Sequence, residues 1–160
     1  MQGTLHTTHD GRYALRFERV FGHPCAKVWR AITEPDQLRS WEFPALVDLT
    51  QAAGTKVTFV SPEDRFPALD GMIVITEPPT LLEYTWGDEI LRWELEDLGD
   101  DRCRLVFTNI FDDRDTAVPA AAGWHAGLEV LEARLDGRTV DWSAFDRADE
   151  LNDDYARSIG

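Results

Sequence analysis

Two polar side chains sit where chemistry could occur in an apolar setting. Asn109 belongs to the alternating run Cys103, Leu105, Phe107, Asn109 and Phe111, so strand parity aims a neutral amide to the same side as its apolar neighbours. A buried amide needs partners, which leaves two roles open. It is either a hydrogen-bonding contact that orients a bound molecule, or a group satisfied by nearby backbone or water at the strand end. His125 follows Trp124 in a stretch rich in Ala and Gly, and an imidazole there could transfer a proton. Glu129 lies one helical turn on, so His125 equally suits a histidine at the rim paired to a surface carboxylate.

Tyr84, Trp86, Trp93 and Phe107 fall on the inward positions of successive strands. They either line a pocket for flat or lipid-like apolar molecules or simply fill the core. His6, His9 and His23 show no ligand spacing with carboxylates, so no metal is expected. Cys25 and Cys103 form no CxxC or Cys/His pattern and read as two reduced, partly buried thiols without a catalytic role. There is no GxSxG elbow, Gly-rich phosphate loop or HExxH helix, which removes the commonest hydrolase, nucleotide-binding and metalloprotease readings; no cofactor is expected. The acidic pairs Glu63-Asp64, Asp112-Asp113 and Asp153-Asp154 read as solvated surface.

The bulk composition narrows the partners. Thirty acidic residues against sixteen basic ones give a formal charge of -14, which repels a phosphate backbone and anionic lipid surfaces alike. Nucleic acid and membrane are therefore not expected as partners. The first residues offer neither a charged nor an apolar export segment, so a cytoplasmic location is expected. With 160 residues, 43% of them apolar, one core can form without disulfides.

The elements that must position these groups are punctuated by turn chemistry. Residues 13–21 alternate as a half-buried strand. Pro24 suits a helix start, and Cys25, Val28, Trp29 and Ile32 recur at helical spacing before Pro35 stops the run and a second short helix follows over residues 35–41. Residues 46–49, 55–61, 71–77, 81–86, 89–97 and 102–111 then read as six strands of a meander, separated by Gly-, Pro- and Asp-containing turns. A long helix is expected over about residues 115–135, its stripe of Trp124, Leu128, Leu131 and Leu135 suited to lying across a sheet. Its first half carries Ala120, Ala121, Ala122, Gly123, Ala126 and Gly127, which can pack closely or leave space beneath. The boundaries expected are a flexible tail over residues 1–12, a main domain over 13–136 and a C-terminal extension over 137–160, a short helix packed on the domain. Trp142, Phe145 and Tyr155 in that extension are candidate anchors for homodimerisation.

The run from Phe21 through Pro24, Val28 and Trp29 to Thr33, the segment Pro35-Asp36-Gln37-Leu38-Arg39-Ser40-Trp41, the run from Pro78-Pro79 to Trp86, and Gly123-Trp124 ahead of Leu128 together resemble the START-related, Bet v 1-like superfamily (SRPBCC). More narrowly they resemble its bacterial branch named after the C-terminal domain of the Hsp90 ATPase activator. The resemblance implies an α+β helix-grip fold, a curved antiparallel sheet of six to seven strands around a long C-terminal helix. It also implies a cavity between sheet and helix, with Trp41 and the loop over residues 62–68 at its mouth. Fold likeness licenses a pocket and not a reaction. Three functions stay open: binding of a small apolar or aromatic molecule by Trp41, Tyr84, Trp86, Trp93, Phe107, Asn109, Gly123 and His125; a cyclase- or hydrolase-like enzyme using the same pocket; and a protein-interaction or co-chaperone-like module.

Overall fold

A computed structural model describes residues 2–41, 43–45, 47–60 and 67–160. Alternating segments pair antiparallel into one curved sheet of seven strands, ordered β1-β2-β7-β6-β5-β4-β3. The strands are β1 (Thr4–Thr7), β2 (Tyr13–Phe21), β3 (Lys56–Phe59), β4 (Leu69–Glu77), β5 (Leu81–Trp86), β6 (Glu89–Gly99) and β7 (Arg102–Phe111). Helices α1 (Cys25–Thr33) and α2 (Pro35–Ser40) follow β2, while α3 (Ala117–Leu135) and α4 (Ala144–Ser158) close the chain. This is the expected helix-grip architecture. The 19 residues of α3 extend about 28 Å at 1.5 Å each, close to the roughly 29 Å spanned by seven strands about 4.8 Å apart, so one helix can cover the sheet.

The concave face carries the core. Leu15 and Phe17 from β2, Leu82 and Tyr84 from β5, Leu91 and Trp93 from β6, and Leu105 and Phe107 from β7 are all buried, and Leu128, Leu131 and Leu135 of α3 close over them. Each such side chain contributes about 1.5–3 kcal/mol through burial. The expected stripe on α3 therefore holds the helix down. Ala117, Ala121, Ala122 and Ala126 are also buried, and α4 covers a second side of α3 at His125 and Glu129.

Several expectations are corrected. Residues 4–7, expected within a flexible tail, form edge strand β1 in register with β2, Leu5 opposite Leu15. Gly3 just before it sits on the Phe17 ring so closely that a Cβ there would lie 2.5 Å from a ring carbon. No strand covers residues 47–49: Leu49 donates its N–H to the Thr33 carbonyl, and the nearby bridge is Ala45 with Phe59; Leu46, the first residue of that expected strand, lies outside the described residues. A short irregular link has too few free backbone groups to build a ladder once one end is tied to α1. The expected strand over 55–61 is shorter, because β3 covers only Lys56–Phe59 and Ser61 also lies outside the described residues.

Candidate functional site

The turn at Gly87-Asp88 joins β5 to β6 and places Trp86 opposite Glu89 in register. Both point to the concave side: Trp86 continues the Leu82, Tyr84 parity, and Glu89 lies two residues before Leu91 and four before Trp93. Across the next ladder Leu91 faces Asn109. Asn109 is fully buried, and its amide nitrogen donates to Glu89 Oε1 at 2.9 Å. Its carbonyl oxygen accepts the Trp124 indole N–H at 3.1 Å, so a chain of hydrogen bonds runs from α3 through β7 to β6. The Trp124 ring meets Trp86 at 5.5 Å and Phe107 at 4.6 Å between centroids. Glu89, Asn109, Trp86 and Trp124 thus form one connected cluster. Burial pushes the Glu89 carboxyl above its ordinary pKa, opposed by the Asn109 hydrogen bond and the Arg12 charge.

Deeper along the face, space is filled. Trp93 packs on Phe107 at 4.2 Å, Tyr84 stacks on Phe59 at 5.5 Å, and Phe43 touches Trp93 and Trp124. Tyr84 accepts the Trp93 indole N–H at 3.1 Å, and complete burial holds its phenol protonated. Tyr84, Trp93 and Phe107 are therefore core, with Phe107 also forming the floor beneath Trp124. Trp41, expected at a pocket mouth, is 4% exposed; its indole donates to the Ala31 carbonyl and its ring packs on Phe43 and Trp93. The physical reason is that the hydrogen bond to α1 and the ring packing on Trp93 draw this large apolar side chain in between helix and sheet. Most of the loop expected beside it, residues 61–66, lies outside the described residues.

Gly123 does not face the aromatic floor. It is exposed, and a Cβ there would meet no heavy atom within 4 Å among the described residues. His125 is also turned away from the cluster, although it follows Trp124 directly. A step of one residue rotates the side chain about 100° around a helix, which carries His125 toward α4. Its Nδ1 lies 2.7 Å from the Tyr155 hydroxyl and its Nε2 3.2 Å from Glu129 Oε1. Tyr155 Oη also accepts the Gly3 N–H at 2.8 Å, and Arg147 pairs with both Glu129 and Glu150. Burial, followed by the Arg19 charge, lowers the His125 pKa to about 4 against the pull of Glu129. Both ring nitrogens are thus engaged at a helix–helix junction.

Glu89 is the site residue that sequence reasoning misses. The available signal was parity: extending Leu95, Trp93 and Leu91 back by one more step lands on Glu89. Cys25 and Cys103 are free thiols close enough to interact; burial, followed by the neighbouring Cys25 side chain, pushes the Cys103 thiol upward. Among the described residues no group of three or more His, Cys, Asp or Glu side chains is arranged to hold a metal ion, and no helix is long and apolar enough to cross a membrane.

A sheet gripping a long helix, with an aromatic concave face, defines an SRPBCC-type domain. The model of the family described as activator of Hsp90 ATPase homolog 1-like protein matches residues 23–136, and the chain belongs to that family. Among solved structures, a conserved protein of unknown function from Enterococcus faecalis is similar at 18% identity and a TM-score of 0.76, over 98% of this chain and 90% of that one. CalU16 from Micromonospora echinospora is similar at 19% identity and a TM-score of 0.75, over 98% and 95%. A protein of Bordetella parapertussis is similar at 24% identity and a TM-score of 0.73, over 97% and 91%. These likenesses establish the fold. No match is found among curated proteins.

Proposed function

We propose that this chain binds a small apolar or aromatic molecule at the end of the concave face bounded by Trp86, Glu89, Asn109 and Trp124. The observation that carries this reading is the contrast along the face. The deep rings pack against one another, whereas Trp86, Glu89 and Trp124 are only half-buried around a fully buried amide. Apolar sites with few, fixed polar groups are the usual form of a small-molecule pocket. Asn109 acts here as a positioning residue, because its two hydrogen bonds fix both the carboxylate and the indole that a ligand would touch.

Native mass spectrometry of gently purified protein tests the reading, together with a small aromatic fragment screen read on the Trp86 and Trp124 indole NMR resonances. A bound small molecule, or fragments that shift those resonances and leave Trp29 unmoved, is the expected result. Ligand-free protein whose two resonances respond to no fragment would overturn it.

A second reading, an enzyme of cyclase or hydrolase type, is favoured by one feature: a half-buried carboxyl with a raised pKa is suited to proton transfer. Glu89, rather than His125, would then be the acid or base. Glu89→Gln should abolish turnover of an identified ligand while leaving the fold intact; full retained turnover would exclude it.

A further inference from the structure

Among the described residues no counter-charge touches the Glu89 carboxylate. The cation nearest to it in effect is Arg12, and Arg12 is engaged elsewhere: its Nε donates to Asp112 at 2.6 Å and its terminal nitrogen to the Asp88 carbonyl at 2.7 Å. Among the described residues Glu89 forms no ion pair, and its one hydrogen bond comes from a neutral amide, leaving its second oxygen without a partner. Yet the group is half-buried, and burial already disfavours its charged form. A charge taken partly out of water is costly unless it is paired. Glu129, also half-buried, has such a partner in Arg147.

The residues next to Glu89 favour one sign of charge. The Trp86 and Trp124 rings meet at 5.5 Å with their planes inclined by 57°, forming an aromatic corner beside Glu89. Indole faces carry negative electrostatic potential and attract cations. The formal charge of -14 adds a long-range field that concentrates cations and repels anions. Carboxylate, ring faces and overall field therefore agree.

Resting on the ligand-binding reading above, we propose that the site is specific for a cationic nitrogen: an ammonium group set against the open oxygen of Glu89, with a flat apolar body lying along Trp86 and Trp124. Glu89 supplies the charge, the two indoles supply the faces, and Asn109 holds the carboxylate and Trp124 in place. The charged groups facing Glu89 are Arg12 and Asp88 from the adjoining turns, whereas β7 and α3 present only the neutral Asn109 and Trp124. Binding of a permanently charged cation should therefore strengthen as pH rises and Glu89 ionises.

Three probes of one shape and different charge decide the question: phenethylamine, 2-phenylethanol and 3-phenylpropionate, titrated by calorimetry and followed on the two indole resonances. The expected order is amine, alcohol, acid, with the amine at least about tenfold tighter than the alcohol, as one ion pair of modest strength would give. In Glu89→Gln, which keeps an oxygen for Asn109, the amine should fall to the affinity of the alcohol. Benzyltrimethylammonium should bind more tightly with rising pH in the parent protein and show no such trend in Glu89→Gln. Trp86→Leu keeps the carboxylate and should still lower amine affinity severalfold, which serves as a second variant if the first misfolds. Equal binding of alcohol and amine, or an amine affinity unchanged in Glu89→Gln, overturns the charge selectivity and leaves the pocket reading standing. No response to any of the three overturns both.

Discussion

Trp124 and His125 are neighbours in sequence, yet they belong to two hydrogen-bond chains on different sides of α3, and the two chains end differently. On the sheet side, Trp124 leads to Asn109 and Asn109 to Glu89, where the chain stops at an unpaired carboxylate oxygen. On the α4 side, Gly3, Tyr155, His125, Glu129, Arg147 and Glu150 satisfy one another in turn. With the proton on Nε2, the imidazole accepts from Tyr155 at Nδ1 and turns its N–H side to Glu129, 3.2 Å away. The open cleft of about 270 Å³ there, lined by Glu129, Trp142, Asp146, Arg147 and Glu150, has its central cation already spent on Glu129 and Glu150. A titratable group with a displaced pKa marks a site only when its interactions are unfinished. His125 has the better-known chemistry, but Glu89 has the vacancy.

The sharpest way to break this contrast is to remove the anchor of the closed chain. Tyr155 is fully buried, so Tyr155→Ala should cost about 3–5 kcal/mol in urea unfolding and expose the amides of α4 to hydrogen exchange, as for other buried aromatics. The Trp86 and Trp124 indole resonances should move little. If they move as much as those around His125, the two chains are one unit.

Acid should single out the closed chain next. The folded His125 stays neutral until about pH 4, whereas the unfolded side chain takes up a proton near 6.5. Its contribution is therefore fully present above pH 6.5 and lost as pH falls toward 4, by about 3 kcal/mol at most. His125→Gln should show a shallower fall in stability over that window, and an unchanged slope would contradict the buried, neutral assignment.

Asn109→Leu attacks the open chain. It strands the Trp124 indole N–H and the Glu89 carboxyl, and should cost about 1–3 kcal/mol in the same assay. The emission of Trp124 should shift with it. A neutral outcome would mean that water replaces the amide.

The smallest effect is the most discriminating. Because the folded Glu89 pKa lies above the unfolded one, its ionisation opposes folding as pH rises, so Glu89→Gln should change stability at neutral pH by no more than about 0.5 kcal/mol, in either direction. Combined with Tyr155→Phe, the two changes should add within about 0.5 kcal/mol. Larger coupling would mean that α3 transmits strain between its two sides.

Legibility followed the range of the interaction. Strand parity placed Tyr84, Trp93, Phe107 and Asn109 on the inner face, and helical spacing placed Leu128, Leu131 and Leu135 against it, because periods of 2 and 3.6 are local properties of the backbone. Which inward aromatics fill the core and which stay half-open was not local. Trp41 is sealed because its indole is tied to the Ala31 carbonyl and its ring packs on Phe43 and Trp93, whereas Trp86, the last residue of β5, is half-buried. The same limit hid β1, whose four residues carry little apolar pattern and gain order from pairing with β2.

Turns and periodicity determined most of the order of elements and the inward direction of Asn109, and the family resemblance supplied the helix-grip class. The tertiary structure alone decided that His125 closes a junction and that Glu89 is left open. The reason is that a side chain's chemistry depends on whether its partners arrive, and these come from residues far along the chain: Tyr155 reaches His125 across 30 positions, and Asn109 reaches Glu89 across 20.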